Sequence, residues 1–445
     1  MDKKSLYAVF VVIILVIASV SIYVTMDDGK NGTVKSFDNA ELKVFGNVNG
    51  DRFLDDEDVK ILKECVKKGY TVQDYPWADA NQDGVIDDSD VEVVSNVAAG
   101  KPATIYHVSY HDVDGNGTMD TEISSTKYPV KSAIMTGSTN TSILLYCLGI
   151  IDQIKGASYS SSSLDKDLFK ETYLNTEKCV YLGKSSSSIS FEDGKVGSSD
   201  VIKKENVTAL ITDWNRTYIT NESDFEQAGV DVVRIAAASV DEESLTHSAM
   251  LMGLLFQCSE RANEYVDMSL KVLDYVHDAV KDLPKSNAVA SSMNGYISVG
   301  TSDFSQVLEV AGGTCPLPVE AFGGTTSPKI ADHPEIFSDY SFDYVIHIRS
   351  NLNYVQTQDG INEIWDKYTK AFSDWEHAKT GQYLISGMIP VALRAAYAAE
   401  ILHGDAIDDE KITEWHQDFV DKFFNGKSYD VSSLKFVITS NDITS

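Results

Sequence analysis

Between Ser239 and Leu283, apolar side chains return at helical spacing with no internal proline: Leu245, Ala249, Met252, Phe256, Tyr265, Met268, Val272, Val276, Ala279 and Leu283. Ser239-Val240-Asp241-Glu242 opens the run with capping-box spacing, in which the serine and glutamate satisfy amide groups left open at a helix start. Pro284 closes it, because proline has no N–H to continue the hydrogen-bond ladder. The pattern predicts one helix of about 40 residues, about 60 Å long. On either side lie stretches of comparable size in which short β-rich runs alternate with helical patterns, as α/β lobes require. The chain is thereby restricted to two lobes, 104–238 and 285–445, joined by a helix over 239–284.

The expected strands are Val130–Met135, Thr208–Thr212, Val230–Ile235, Ala288–Met293, Tyr344–Ile348 and Gln382–Ser386. The expected helices are Thr141–Leu148, Asp303–Ala311, Asn362–Trp375, Pro390–Leu402 and Asp409–Phe424. An apolar fraction of 43% and a charged fraction of 23% suit a folded chain and exclude wholesale disorder. With 67 acidic against 37 basic residues, the net charge of −30 has the wrong sign for a phosphate backbone, so no nucleic-acid partner is expected. Cys65, Cys147, Cys179, Cys258 and Cys315 form no C-x-x-C pair or zinc-like spacing. No G-x-S-x-G elbow, P-loop or H-E-x-x-H stands in the chain, and an enzyme is not expected.

Leu6–Val24 is apolar apart from two serines and is about long enough to span a bilayer as one helix. Lys3 and Lys4 before it, against Asp27 and Asp28 after it, place the bulk of the chain outside the membrane. Residues 1–26 are read as an uncleaved anchor. The competing reading is a signal peptide cut near Ser19-Val20-Ser21. The polar stretch 27–40 reads as a linker.

Residues 41–101 contain a repeat. Asn47, Asn49, Asp51, Asp55 and Asp58 place oxygen side chains at positions 1, 3, 5, 9 and 12 of one loop. Asp79, Asn81, Asp83, Asp87 and Asp90 do the same in a second. The main-chain carbonyls of Phe53 and Val85 stand at position 7. Calcium takes six to eight oxygens at about 2.3–2.6 Å, and this spacing wraps them around one point, so two calcium ions are expected. Gly84 supplies the turn at position 6 of the second loop. Arg52 stands there in the first, which is expected to bind more weakly. A third acidic loop, Asp112 to Asp120, carries the first five liganding positions but has Ile123 at the twelfth. It reads equally as a weak calcium site or a β-hairpin tip.

With Asp58 and Asp90 closing its loops, the tandem resembles a dockerin, whose repeats end in aspartate. The resemblance implies a cohesin-like partner. Partner choice in that family is read near positions 10 and 11, here Asp56-Glu57 and Asp88-Ser89, which depart from the usual Ser/Thr pairs.

From Tyr128 onward the chain resembles the solute-binding proteins of ABC importers whose lobes are joined by one long helix and which carry cobalamin, haem or ferric siderophores. The resemblance runs through Pro129–Gly156, with its Leu148-Gly149-Ile-Ile-Asp152-Gln-Ile-Lys-Gly156. It continues in Asn206-Val-Thr-Ala-Leu-Ile-Thr, where Val207-Thr208 replace the family's Pro-Asp, then in Leu308–Gly313 and in Pro334-Glu335 with Phe342-Asp343. The fold implied is α/β: two Rossmann-like lobes joined by one long helix, preceded by a small all-α EF-hand-like dockerin module and a transmembrane helix. Family members dock on the permease through one acid on each lobe. Asp200 and Glu335 match that place, each eight residues before its strand motif. The ligand is expected in the interlobe cleft, lined by Ser138, Asn140, Tyr159, Trp214, Tyr218, Asn294, Tyr296, His347, Arg349 and Tyr354. Aromatic faces with a cation suit a flat macrocycle or a catecholate.

The sequence therefore reads as a membrane-anchored receptor that hands a metal chelate to an ABC permease. The alternative is a surface assembly protein whose calcium module is the main function and whose two lobes are a display domain.

Overall fold

The computed structural model of the chain describes residues 40–115, 117–159, 164–183, 198–219 and 221–444. The apolar run Leu6–Val24 lies outside them. Among the described residues no helix is long and apolar enough to cross a membrane.

Each acidic loop runs into a helix, α1 (Asp56–Lys68) and α2 (Asp88–Ala98). Asp55 and Asp87 cap these helices, and Asp58 and Asp90 reach back to the cap N–H groups, an all-aspartate version of the capping box. Val59, Leu62 and Cys65 of α1 pack with Val91, Val94 and Val97 of α2, and this cluster is continuous with the core of both lobes. Residues 41–101 thus share their core with the rest of the chain.

β1 (Ala103–His111) and β2 (Asp120–Tyr128) form an antiparallel hairpin in which His111 faces Asp120. The third acidic loop is the tip of that hairpin.

The first lobe comprises β3 (Ala133–Thr136), α3 (Thr139–Cys147), β4 (Ile154–Ser158), β5 (Val180–Tyr181), α4 (Ser198–Glu205), β6 (Ala209–Asp213), α5 (Glu222–Gln227) and β7 (Asp231–Ile235). Its sheet is parallel in the order β5-β4-β3-β6-β7. β3 and β6 are buried along their whole length, which is why they read as apolar runs up to their polar last residues. The strand order reverses between β3 and β6, and the crevice at such a point is where open α/β sheets take ligands.

The single 40-residue helix expected over 239–283 is two helices, α6 (Glu242–Leu255) and α7 (Ser259–Val280). Gln257 between them is left-handed, with φ 58°. Its N–H donates to the Leu254 carbonyl at 3.1 Å, and the Cys258 N–H donates to the Gly253 carbonyl at 2.7 Å. These two bonds make a Schellman ending, a motif that usually places glycine at the left-handed position. A glutamine there leaves no breaker in the sequence, and apolar spacing runs on across the break. The two helices also differ in burial. α6 is covered nearly all round, whereas α7 buries one stripe, including Ala262, Tyr265, Val266, Val272 and Val276.

The second lobe comprises β8 (Ser286–Ser291), β9 (Ile297–Ser298), α8 (Asp303–Val310), β10 (Gly313–Thr314), α9 (Ile336–Asp339), β11 (Tyr344–Ser350), α10 (Gln358–Thr369), β12 (Gln382–Ser386), α11 (Val391–His403), α12 (Asp409–Phe423) and β13 (Val437–Ile438). The sheet order is β10-β8-β11-β12-β13, with β9 on β8. β9 and β13 run antiparallel to their neighbours, and the other pairings are parallel. Strand order reverses between β8 and β11, so each lobe has one switch point.

Candidate functional site: the interlobe cleft and the acidic loops

The residues that follow the two switch points meet across the cleft. After β3, Ser138 caps α3 and donates from Oγ to Asp213 Oδ2 at 2.9 Å, at the end of β6. Thr141 Oγ1 donates to the same oxygen at 3.3 Å. From the opposite lobe, Arg349 near the end of β11 donates from Nη2 to Thr139 Oγ1 at 3.1 Å. Arg394, in the first turns of α11, donates to Asn140 Oδ1 and to the carbonyls of Ile389 and Gly387. Trp214 donates from Nε1 to Asp303 Oδ1 at 3.3 Å, linking the lobes a third time.

Burial sets the electrostatics. It pushes the Asp303 carboxyl up to about 7, with the Asp213 charge adding to the shift, and it raises Asp213 as well. Arg394 is brought down to about 9, by burial first and then by Arg349. Tyr218, half-buried and near Asp213, is raised to about 12, by desolvation first and then by the Asp213 charge. In the described hydrogen bonds both guanidinium groups meet neutral acceptors, and Arg394 Nη1 is buried with no partner. Arginine pairs best with planar, negatively charged oxygens, so the cleft offers donors that its own residues leave underused.

Of the expected lining, the structure brings together Ser138, Asn140, Trp214 and Arg349, with Tyr218 among them. Others lie elsewhere. Tyr159 is buried in the first lobe, its hydroxyl donating to the Tyr173 carbonyl at 3.1 Å. His347 is inside the second lobe, with Nε2 3.0 Å from Gln382 Oε1 and its ring against Tyr368 and Phe372; burial lowers it to about 4. The Tyr354 hydroxyl lies 2.7 Å from His416 Nε2, and its ring stacks on Tyr429. Asn294 and Tyr296 sit on an exposed turn after β8. Thr139 falls in the loop expected to line the cleft, whereas Thr141, Asp213, Asp303 and Arg394 were not anticipated. One signal was available, since Arg394 is a lone cation within the apolar run Val391–Ala399.

The acidic loops fold as turns held by their own side chains. In the second, Asp79 accepts from Asp83 N–H at 3.1 Å and Gly84 N–H at 3.0 Å, and Asp90 accepts from Asn81 N–H and Asp87 N–H. In the first, Asp58 accepts from the N–H groups of Val48, Asn49 and Asp55. Asn47 Nδ2 donates to the carbonyls of Leu42 and Asp51, whereas its Oδ1 is buried without a donor. Burial raises Asp58 to about 7, helped by Asp51 and Asp55, and it raises Asp79 and Asp90. Among the described residues no three His, Cys, Asp or Glu side chains converge as a ready-made metal site. The unmet Asn47 oxygen and the uncompensated carboxylates nevertheless fit a cation better than they fit one another.

Asp200 on α4 and Glu335 before α9 are both exposed, and Glu335 pairs with His333 at 3.2 Å.

No family profile matches the chain, and no curated relative does. Among solved structures, the TroA-like periplasmic binding protein FepB from Veillonella parvula aligns with a TM-score of 0.52 at 17% identity, over 68% of this chain and 93% of that one. The fold is that of a TroA-like periplasmic binding protein. The Haemophilus influenzae molybdate periplasmic binding protein MolA, solved with molybdate, also aligns with a TM-score of 0.52, at 12% identity, over 69% of this chain and 96% of that one. Ser138 and Asp213 of the first lobe and Arg349 and Arg394 of the second stand where the two lobes of this chain meet.

Proposed function

We propose that this chain is the solute-binding component of an ABC importer, and that it captures a metal chelate (a ferric siderophore, haem or cobalamin) between its lobes. The observation that carries this reading is the pair Arg349 and Arg394, both of the second lobe, which reach Thr139 and Asn140 beside the switch point of the first. They are bonded to neutral acceptors, and a buried guanidinium N–H is left over. A chelate with carboxylate or catecholate oxygens would take these donors from Thr139 and Asn140. Leu6–Val24 would hold the receptor at the outer membrane face, and Asp200 and Glu335 would meet the permease. Two calcium ions would sit in the loops opened by Asn47 and Asp79. The orphaned Asn47 Oδ1 and the raised carboxylates support that part of the reading.

One observation favours a second reading, in which the lobes are a display domain and a cohesin-like partner binds the calcium module. The facing side chains satisfy much of one another's hydrogen bonding, so a ligand must displace existing contacts. Native mass spectrometry and visible spectra of the chain, incubated with haemin, cobalamin and ferric siderophores, separate the two. A stoichiometric coloured adduct that is lost in the Arg349→Ala/Arg394→Ala double variant supports the receptor. Two bound calciums with no adduct from any chelate supports the assembly protein.

A further inference from the structure

The calcium module touches both arms of the broken linker and the break itself. On α6, Lys43 Nζ pairs with Glu243, and the Lys43 N–H donates to His247 Nδ1 at 3.0 Å. His247 Nε2 in turn bonds the Val108 carbonyl at 2.8 Å, which ties β1 into the same contact. On α7, the guanidinium of Arg52 pairs with Asp267 and donates to Asn263 Oδ1 at 3.0 Å, while its Nε holds Glu41 at 3.1 Å. At the break, Gln257 Nε2 donates to the Tyr128 hydroxyl at 3.3 Å, and that hydroxyl donates to the Val97 carbonyl of α2. Arg52 is the residue at loop position 6, where the second loop has Gly84. The first loop therefore replaces its turn residue with a side chain that leaves the loop and grips the linker. Its neighbours Asp51 and Phe53 are half-buried, whereas Asp83, Gly84 and Val85 of the second loop are exposed.

We propose that the partner of the first calcium loop is the linker of its own chain. The module is a splint across the α6–α7 break, and calcium in the first loop, closed over Asn47 Oδ1, fixes the angle at which α6 and α7 meet. Because the lobes hang from the two ends of that linker, calcium then sets how Arg349 and Arg394 face Ser138 and Asp213. This inference rests on the calcium reading above and adds the place where the ion acts. A bound ion stabilises only the state that binds it, so the effect must reach whatever that state holds in place.

The test is amide hydrogen exchange of the full chain with calcium and with a chelator, alongside native mass spectrometry that counts bound ions. Calcium is expected to slow exchange in the first two turns of α7 by about threefold or more, as a half-buried ion pair becomes held. In Arg52→Gly, which returns glycine to position 6, two calciums should still bind. The slowing should disappear from α7 while it persists in α6, where Lys43 and His247 remain. A general gain in stability would instead protect both helices in both proteins, and that result overturns the splint. Two ions bound with α6 and α7 unchanged also overturns it, leaving the calcium reading standing. No bound calcium removes both.

Discussion

Two buried aspartates, Asp58 in the first acidic loop and Asp303 in the cleft, are both pushed up to about 7, and in both the largest cause is burial. Their surroundings differ in one respect. Around Asp58 stand Asp51 and Asp55, and the cation of the same loop, Arg52, pairs with Asp267 instead. Around Asp303 stand Asp213 on one side and Arg394 on the other. In the described ion pairs no cation meets the carboxylates of this loop, Asp51, Asp55 and Asp58. The cleft holds its own cations and has guanidinium donors to spare. A raised carboxyl alone therefore marks burial, and the company it keeps decides whether the missing partner is a cation or an anion.

The comparison breaks most sharply at Arg394. Arg394→Met leaves the Ile389 and Gly387 carbonyls and Asn140 Oδ1 without their donor, and it leaves two acids facing each other. Removing one member of a buried charged network costs about 3 kcal/mol or more, and urea unfolding should show a loss of that order. Unchanged stability would mean that the cleft cations are not needed to balance its acids. A smaller effect is expected at Asp303. Burial raises its folded pKa well above the ordinary aspartate value, so the folded chain holds the proton more tightly than the unfolded one. Stability is greatest below about 4 and falls as pH rises from there to about 7. Asp303→Asn keeps an acceptor for Trp214 Nε1 and removes the charge. Between pH 5 and 8 the thermal midpoint of the variant should fall less than that of the parent. Parallel slopes would show that Asp303 is ionised throughout and compensated by Arg394.

The strands were legible in the sequence because β3, β6 and β11 are apolar runs ending in polar residues, and a strand buried on both faces has to look like that. The helices after the two acidic loops were legible because the aspartates that cap them are local in sequence. The linker break was not, since Gln257 carries a left-handed turn that sequence reasoning assigns to glycine. The cleft was half legible. Ser138 and Asn140 follow the end of β3 and Arg349 stands near the end of β11, so they could be found from topology. His347 and Tyr354 have the same chemistry as ligand-lining residues, yet they sit in the core on Gln382 and His416. What separates the two groups is which partner lies across the fold, and that is a long-range fact. Asp303 was missed for the same reason: its meaning comes from Trp214 and Asp213 on the other lobe.

The finest test lies within the cation-poor side, between the sixth residues of the two loops. Gly84 has φ 91°, and a methyl group built on it meets nothing within 4 Å, so Gly84→Ala is strained only through its backbone. That strain costs about 1 kcal/mol, or about fivefold in affinity, if the turn is needed to hold the ion. Arg52 is not left-handed, so Arg52→Ala carries no such strain and acts only through its lost contacts to Asp267, Asn263 and Glu41. Calcium titration calorimetry of the two variants should show Gly84→Ala weakening one site about fivefold with the other unmoved. Arg52→Ala should leave the second site as it was. If Gly84→Ala weakens both sites together, the loops share one binding equilibrium, and the inward and outward loops are a single unit.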